Sequence, residues 1–198
     1  MIKMFTGTNG SGKSLHTMEV VYHLGKRRNI IANFPIKLPY QTNKKNLYVD
    51  NTKLTPNFLV DFAKKNHDLK KEHQTLVIID ECQLMFNTRD YKDATRKLWL
   101  RFFPLHRKYG YDFILVCPYD RAVDKQVRTL VEYEVKHRKF NNYGLIGMLC
   151  PFSVFVAVET WYPVKGQVVG RTFFRYKKKY ANMYDTFRLF EGGGAVGN

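Results

Sequence analysis

The chain has 198 residues, of which 44% are hydrophobic and 25% charged, a composition that excludes an intrinsically disordered protein and indicates one globular domain. Its 33 lysine and arginine residues outnumber its 17 aspartate and glutamate residues, which gives a net charge of +16. Such a charge attracts nucleic acid or an anionic membrane surface, although part of it could serve only to keep the surface solvated.

The cysteines and the hydrophobic runs argue against several further classes of protein. Cys82, Cys117 and Cys150 are widely spaced and form no C-x-x-C pair, so we expect reduced, mostly buried thiols rather than a zinc site. The N-terminus leads directly into a predicted strand and leaves no room for a signal peptide, which indicates the cytoplasm. The longest apolar run, 144–158, is interrupted by a proline and is shorter than the roughly 20 residues of a transmembrane helix.

In chain order, the predicted elements of the first half alternate between strands and helices. This alternation is typical of a parallel sheet covered by helices on both faces. A loop rich in lysine and asparagine is expected between Pro35 and Thr55, and Thr55 then caps a helix. The predicted elements are a strand at 2–6, a helix at 13–24, a strand at 29–33, a helix at 56–65 and a strand at 75–79.

The second half continues the alternation and then changes to strands alone. The predicted elements are a helix at 93–109 kinked at Pro104, a strand at 111–117, a helix at 121–130 capped by Asp120, and strands at 131–139, 152–161 and 168–176. We therefore predict an α/β fold of the P-loop NTPase class, with a mainly parallel central sheet flanked by helices and an antiparallel β appendage at about 131–180. One domain spans 1–190, and the glycine-rich tail 191–198 is predicted to be flexible.

The segment from Gly7 to Ser14 lies between the first predicted strand and the first predicted helix. It fits the pattern G-x-x-x-x-G-K-[ST] of a phosphate-binding P-loop, in which backbone N–H groups and a helix N-terminus surround an anion. We predict that Lys13 reaches the β- and γ-phosphates of ATP and that the Ser14 hydroxyl binds Mg²⁺. The predicted binding loop comprises Gly7, Thr8, Asn9, Gly10, Ser11, Gly12, Lys13 and Ser14.

An apolar strand delivers Asp80 and Glu81 to the edge of the sheet where such folds bind ligands. We predict that Asp80 holds Mg²⁺ and that Glu81 deprotonates the water that attacks the γ-phosphate. The predicted catalytic residues are therefore Glu81 and Lys13. Without a P-loop, such a pair would more often be two solvated acids. Two alternatives to an ATP hydrolase stay open: a small kinase, and a scaffold that binds ATP with little hydrolysis.

Five further residues are candidates for sensing or stabilising the γ-phosphate. Gln83 follows the carboxylates closely and is either a sensor or an ordinary polar loop residue. Arg107, Arg121 and Arg128, like Arg89, are candidates for an arginine finger given to a neighbouring subunit, which would require a homo-oligomer. Most arginines in so basic a chain are surface charges.

Several segments in combination resemble the zonular occludens toxin family, which includes the gene I assembly proteins of filamentous phages. They are the P-loop near the start and the segments 77–83, 106–112 and 124–128, and the match continues to about Phe190. The resemblance implies an ATPase that drives assembly and extrusion of single-stranded DNA phage. It places this domain in the host cytoplasm, at the cytoplasmic face of the inner membrane. The implied partners are phage coat and other assembly proteins, with single-stranded DNA as a candidate cargo.

The chain departs from the family pattern in two places. Relatives commonly place Thr-Gln at the end of the fourth strand, whereas this chain has Cys117 and Pro118, so neither residue is assigned a sensor role. Relatives also usually continue into a membrane helix and a further domain. The resemblance therefore implies either a truncated domain or an anchor supplied by a partner. Toxin activity is not expected of a domain with an intact nucleotide site and no secretion signal.

Overall fold

A computed structural model describes residues 1–87, 94–140, 153–164 and 167–184. Within these ranges the chain forms eight strands and five α-helices. They are β1 (Ile2–Thr6), α1 (Lys13–Leu24), β2 (Asn29–Ala32), β3 (Asn46–Tyr48), α2 (Pro56–Asn66), β4 (Thr75–Ile79), α3 (Ala94–Phe102), β5 (Tyr111–Val116), α4 (Lys125–Arg128), β6 (Tyr133–Lys139), β7 (Val154–Trp161), β8 (Val168–Arg175) and α5 (Lys178–Ala181).

All eight strands belong to one sheet, in the order β3-β2-β4-β5-β1-β6-β7-β8. The first six strands in this order are parallel to one another, and β7 and β8 then extend the sheet in antiparallel pairing. The predicted α/β class, with a mainly parallel sheet and antiparallel strands near the C-terminus, is confirmed.

Alternate side chains of β4 enter two cores, one on each face of the sheet. Leu76 and Ile78 pack with Met18 of α1 on one face. Val77 and Ile79 pack on the other face with side chains of α2 and α3. All five residues of β4 are buried, as a continuous apolar run requires in a parallel strand covered on both sides. This rigid central strand carries the acidic pair that follows it.

The three strands of the predicted antiparallel appendage pair as expected, because β6 is antiparallel to β7 and β7 is antiparallel to β8. On its other side β6 pairs in parallel with β1, with Lys3 opposite Tyr133. The appendage is therefore continuous with the parallel sheet. A strand's own residue pattern does not reveal which strand lies beside it, so the sequence did not indicate this second pairing.

The helix predicted at 121–130 is wrong in its start and its cap. The chain forms a single 3₁₀ turn at Asp120–Ala122, and α4 begins only at Lys125. Asp124, not Asp120, is the cap: its carboxylate accepts hydrogen bonds from the backbone N–H groups of Gln126 and Val127. The prediction took the first aspartate before the helical pattern as the cap, whereas the cap lies four residues later, because aspartate can cap wherever a helix begins.

Two other elements differ from the prediction in length. The helix expected at 93–109 ends at Phe102, and a 3₁₀ turn at Phe103–Leu105 follows, because Pro104 has no N–H group to continue the helix. The loop expected before Thr55 contains β3, an edge strand of three residues that is too short to show an alternating pattern.

Some of the remaining sequence predictions can be compared with the structure, and others fall on residues that the structure does not describe. Cys82 and Cys117 are buried and form no disulfide, as predicted. Cys150, Arg89 and the glycine-rich tail 191–198 lie outside the described residues, and the single domain over 1–190 stays a prediction. Of the helices in the described ranges, none has the length and apolar character needed to cross a membrane.

Candidate active site

The loop between β1 and α1 curls tightly around the start of the helix. Gly7, Gly10 and Gly12 have positive φ angles of 145°, 74° and 94°, and Gly12 is the N-cap residue of α1. The ammonium group of Lys13 donates hydrogen bonds to the carbonyl oxygens of Gly7 at 2.7 Å and Thr8 at 3.2 Å. The lysine charge therefore lies over the loop, beside a helix N-terminus that favours anions.

Asp80 follows β4, and its carboxylate is fixed by two hydrogen bonds. Oδ2 accepts from the Tyr184 hydroxyl at 2.7 Å, and Oδ1 accepts from the backbone N–H of Glu81 at 2.9 Å. Burial raises the pKa of the Asp80 carboxyl, while the hydrogen bonds from Tyr184 and Glu81 act in the opposite direction. Burial also raises the pKa of Tyr184, and the nearby Asp80 charge adds to that shift.

Glu81 has an unusual backbone conformation, with a φ angle of 48°. Positive φ values are uncommon outside glycine and are found disproportionately at functional sites. The Glu81 carboxylate is exposed and accepts a hydrogen bond of 2.5 Å from the side-chain amide of Gln83. The structure thus brings Gln83 to the predicted catalytic carboxylate, and its role as a phosphate sensor stays a prediction.

A cleft of about 450 Å³ brings the two motifs together. Residues 9–15 form one side, and Asp80 and Glu81 line it from the end of β4. Phe155, Tyr176 and Tyr184 also line it. This volume is within the range of small-molecule sites, which is roughly 300–1,000 Å³. A larger hollow of about 700 Å³ lies against α1 and β8, but its lining includes no residue of either motif, so the cleft is the better candidate.

The oxygen donors in the cleft suit a magnesium ion. Ser14 offers a hydroxyl and Asp80 a carboxylate, and both are the hard oxygen ligands that Mg²⁺ prefers. Both residues line the cleft together with Lys13, and the Tyr184 hydroxyl donates a hydrogen bond to the Asp80 carboxylate. The side chains present therefore fit the predicted metal site, with Ser14 and Asp80 as its protein ligands.

The three candidate finger arginines of the described ranges lie away from the cleft. Arg107 forms an ion pair with Glu132. The other carboxylate oxygen of Glu132 accepts a hydrogen bond from the backbone N–H of Ile2, at the end of β1 farther from the P-loop. Arg128 lies 3.5 Å from Asp120. Arg121 is exposed and makes no hydrogen bond or ion pair with any described residue. None of the three lines the cleft, so a finger role for any of them requires a neighbouring subunit and stays a prediction.

Two residues of the site were missed by sequence reasoning. Tyr184 lies 104 residues from Asp80, beyond the last predicted strand, and no local pattern connects the two. Asn33 was expected only as the end of a strand, yet its side chain contacts the backbone of Asp80. A polar residue at the end of a buried strand was the one available signal for Asn33.

Sequence comparison decides the family. The family described as Zonular occludens toxin (Zot) matches residues 1–188. The chain belongs to the zonular occludens toxin family. The chain is similar to the Gene 1 protein of Enterobacteria phage I2-2, with 26% identity over 159 residues that cover 75% of this chain and 43% of the relative. It is also similar to the Gene 1 protein of Enterobacteria phage fd, with 32% identity over 88 residues that cover 44% of this chain and 25% of the relative. The chain therefore spans less than half the length of these relatives.

Solved structures support the same fold. The N-terminal domain of zonular occludens toxin from Neisseria meningitidis matches with a TM-score of 0.58 and 22% identity, covering 93% of this chain and 98% of that one. The DNA-packaging ATPase B204 from Sulfolobus Turreted Icosahedral Virus matches with a TM-score of 0.51 and 16% identity, covering 89% and 96%. At such identities the likeness shows the fold alone, which is that of P-loop NTPases. The resemblance predicted from the sequence is confirmed.

Proposed function

We propose that this chain is a magnesium-dependent ATP hydrolase that drives assembly and extrusion of filamentous phage at the host inner membrane. The observation that carries the proposal is the meeting of the P-loop with Asp80 and Glu81 in one cleft. The similarity to Gene 1 proteins of filamentous phages supports the assembly role. ATP as the ligand is supported by the fold of the packaging NTPase B204 from Sulfolobus turreted icosahedral virus 2, which was solved with AMPPCP and matches with a TM-score of 0.50.

In the proposed site, backbone N–H groups of the loop and the start of α1 surround the β- and γ-phosphates. Lys13 leaves the loop carbonyls and neutralises charge on the transferred phosphoryl group. Ser14 and Asp80 would hold Mg²⁺, which would screen charge on the phosphate oxygens. The exposed Glu81 carboxylate accepts a proton from the water whose oxygen bonds to the γ-phosphorus, while the bond from that phosphorus to the ADP oxygen breaks and ADP and phosphate leave.

The proposed setting is the host cytoplasm, at the cytoplasmic face of the inner membrane. A membrane segment outside this chain would anchor the domain there. Phage coat and other assembly proteins are the proposed partners, with single-stranded DNA as a candidate cargo. The net charge of +16 suits contact with an anionic partner. A homo-oligomer would allow one subunit to supply an arginine to the cleft of the next.

One contact favours a second candidate function, a scaffold that assembles on ATP with little hydrolysis. The side-chain amide of Gln83 holds one oxygen of the Glu81 carboxylate, and in a scaffold this contact would keep the carboxylate with Gln83 rather than at an attacking water. A small kinase would need an acceptor site in addition. Phosphate release in the absence of any acceptor distinguishes the hydrolase from the kinase.

The proposal is tested by Lys13→Ala and Glu81→Gln, with phosphate release and nucleotide binding measured separately. We expect Lys13→Ala to abolish turnover and phage production without unfolding the domain, because its side chain faces the cleft rather than a core. Glu81→Gln should reduce turnover by about 100-fold or more while nucleotide still binds. Lys64→Ala, an exposed lysine of α2, is the matched control.

The outcomes separate the candidates. Near-normal hydrolysis by Lys13→Ala contradicts the site assignment. Unchanged turnover in Glu81→Gln removes Glu81 from the catalytic role. A wild-type protein that binds ATP tightly and releases almost no phosphate, alone or with its partners, identifies the scaffold instead.

A further inference from the structure

We propose that Tyr184 is a positioning residue that holds the Asp80 carboxylate in the orientation needed to bind the divalent cation. The inference rests on the proposed function and adds a residue to its site. The Tyr184 hydroxyl donates a hydrogen bond of 2.7 Å to Asp80 Oδ2. It therefore holds one of the two residues that would bind Mg²⁺, and it lines the same cleft as the other, Ser14.

The tyrosine ring is fixed by the segment that follows β2. Tyr184 forms an isolated antiparallel β-bridge with Ile36, and the N–H of Lys37 donates to the carbonyl of Met183 at 3.0 Å. The ring meets Phe34 edge-on, with centroids 4.8 Å apart. Phe34 belongs to the core on the α1 face of the sheet. The hydroxyl is thus placed by backbone pairing and by ring packing, both independent of the hydrogen bond that it makes.

This placement matters because a carboxylate can rotate about its last bond. The Glu81 N–H binds one oxygen of Asp80 and the Tyr184 hydroxyl binds the other, so the two bonds together fix the plane of the carboxylate. Each ionised carboxylate oxygen accepts about two hydrogen bonds, so each keeps a lone pair for the cation or its water. Removing a residue that hydrogen-bonds to a metal ligand typically weakens metal binding by about 10-fold to 100-fold.

The link also joins distant parts of the chain. Tyr184 follows β8 and α5, whereas Asp80 follows β4 at the centre of the sheet. Tyr176, between β8 and α5, lines the same cleft. The segment after β8 therefore contributes side chains to the site, and the P-loop and the acidic pair alone do not complete it.

The test is Tyr184→Phe, which removes the hydroxyl and keeps the ring against Phe34. Binding of a fluorescent, non-hydrolysable ATP analogue is measured first in EDTA and then across a Mg²⁺ titration. We expect the affinity in EDTA to be unchanged, because no phosphate contact is lost. The Mg²⁺ concentration that gives half of the metal-dependent gain in affinity should rise by about tenfold or more.

Tyr180→Phe is the matched control. Tyr180 lies in α5, four residues earlier, with a buried ring whose hydroxyl is 3.4 Å from His23 rather than near Asp80. This control removes a hydroxyl from the same segment and should leave the Mg²⁺ midpoint at the wild-type value. A general loosening of the segment would move both variants together, and it would also weaken binding in EDTA.

Each result decides the question. An unchanged Mg²⁺ midpoint in Tyr184→Phe overturns the positioning role. A lower midpoint also overturns it, because the hydroxyl would then compete with the cation. A wild-type protein whose nucleotide affinity does not respond to Mg²⁺ contradicts the proposed function itself, and the inference with it. A responsive wild type with an unshifted variant contradicts only the role of Tyr184.

Discussion

The side chain of Asn33 makes two hydrogen bonds to the backbone of Asp80 and so joins the end of β2 to the end of β4. Its Oδ1 accepts from the Asp80 N–H at 2.7 Å, and its Nδ2 donates to the Asp80 carbonyl oxygen at 2.8 Å. The same Nδ2 also donates to Asn51 at 2.9 Å. Asn33 is buried, so these bonds are shielded from water. The Asn33 side chain therefore holds the backbone of Asp80 in place at the end of β4.

We expect Asn33→Ala to lower the free energy of unfolding by about 1–3 kcal/mol, because it leaves backbone groups of Asp80 without a partner. Denaturant unfolding measures this change. Asn66→Ala is the control: the Asn66 amide donates to the Phe62 carbonyl oxygen at the end of α2, where water can replace it. Equal losses in the two variants would contradict the special role of Asn33.

Gly12 and Gly10 form a matched pair for a test of the loop. Both have positive φ, which costs an alanine about 1–2 kcal/mol. A Cβ on Gly12 would lie 2.8 Å from the Phe155 ring, whereas a Cβ on Gly10 would have no atom within 4 Å. We therefore expect Gly12→Ala to lose about 1–3 kcal/mol more stability than Gly10→Ala. Equal denaturation midpoints for the two variants would show that the ring moves aside freely.

Stability should fall as the pH drops below neutral because of a buried histidine pair. His16 Nδ1 and His137 Nε2 lie 2.8 Å apart. Burial lowers the pKa of His16 to about 4 and that of His137 to about 3. Unfolded histidine titrates near pH 6.5, so the unfolded chain binds more protons between these values. The stabilisation is therefore complete above about pH 6.5 and is lost on acidification.

We expect each of these histidines to lower the free energy of unfolding by about 2 kcal/mol when the pH falls from 7 to 5. His16→Phe keeps an aromatic ring between Phe5 and Phe174, whose centroids lie 5.1 Å and 4.9 Å from the histidine. The difference in unfolding free energy between the two pH values should shrink by about one histidine's share in this variant. An unchanged difference would show that the pair is not the source of the pH dependence.

ATP turnover is expected to rise with protein concentration, or on addition of DNA or phage assembly proteins, because no candidate arginine of the described ranges lines its own cleft. Arg121 is the best placed to act in a neighbour, since it is exposed and unpaired within the described ranges. Arg121→Ala should reduce turnover by about 1,000-fold if it is the finger. Arg107→Ala and Arg128→Ala remove the two ion-paired candidates, and a large loss of turnover in one of them instead of in Arg121→Ala would identify that arginine as the finger.

A mixing experiment makes the prediction specific. Lys13→Ala has a defective P-loop and an intact Arg121, and Arg121→Ala has the opposite defect. Mixing the two inactive variants should restore part of the activity, because one subunit then supplies the arginine and the other the site. Concentration-independent turnover by a monomer, or no recovery on mixing, would contradict an arginine supplied between subunits.

The parts of the site that are local in sequence could be predicted, and the parts that depend on tertiary pairing could not. The loop from Gly7 to Ser14 and the pair after β4 each lie within one short segment, with a strand of clear apolar pattern before them. Tyr184 reaches Asp80 only because the chain returns after β8 to pair with Ile36. That pairing depends on the assembled sheet and leaves no signal in the residues beside either partner.

The same distinction explains the errors in the fold. The central strands were predicted nearly to the residue, because burial on both faces demands a continuous apolar run. The parallel pairing of β6 with β1 was not foreseen because parallel and antiparallel strands can share one residue pattern. The prediction of Asp120 as the cap was wrong because an aspartate can accept such backbone hydrogen bonds at any position where a helix begins, and this helix begins four residues later.

The N–H of Gly7 donates a hydrogen bond of 3.0 Å to the carbonyl oxygen of Pro118. The family resemblance predicts a polar side chain near this position, whereas Pro118 offers the P-loop only its backbone carbonyl. Any residue offers a backbone carbonyl, so this support of the loop does not depend on the side chain at position 118. Replacing Pro118 with glutamine would therefore add a polar side chain beside a backbone hydrogen bond that already supports the loop. The effect of the side chain could then be measured separately from that of the backbone contact.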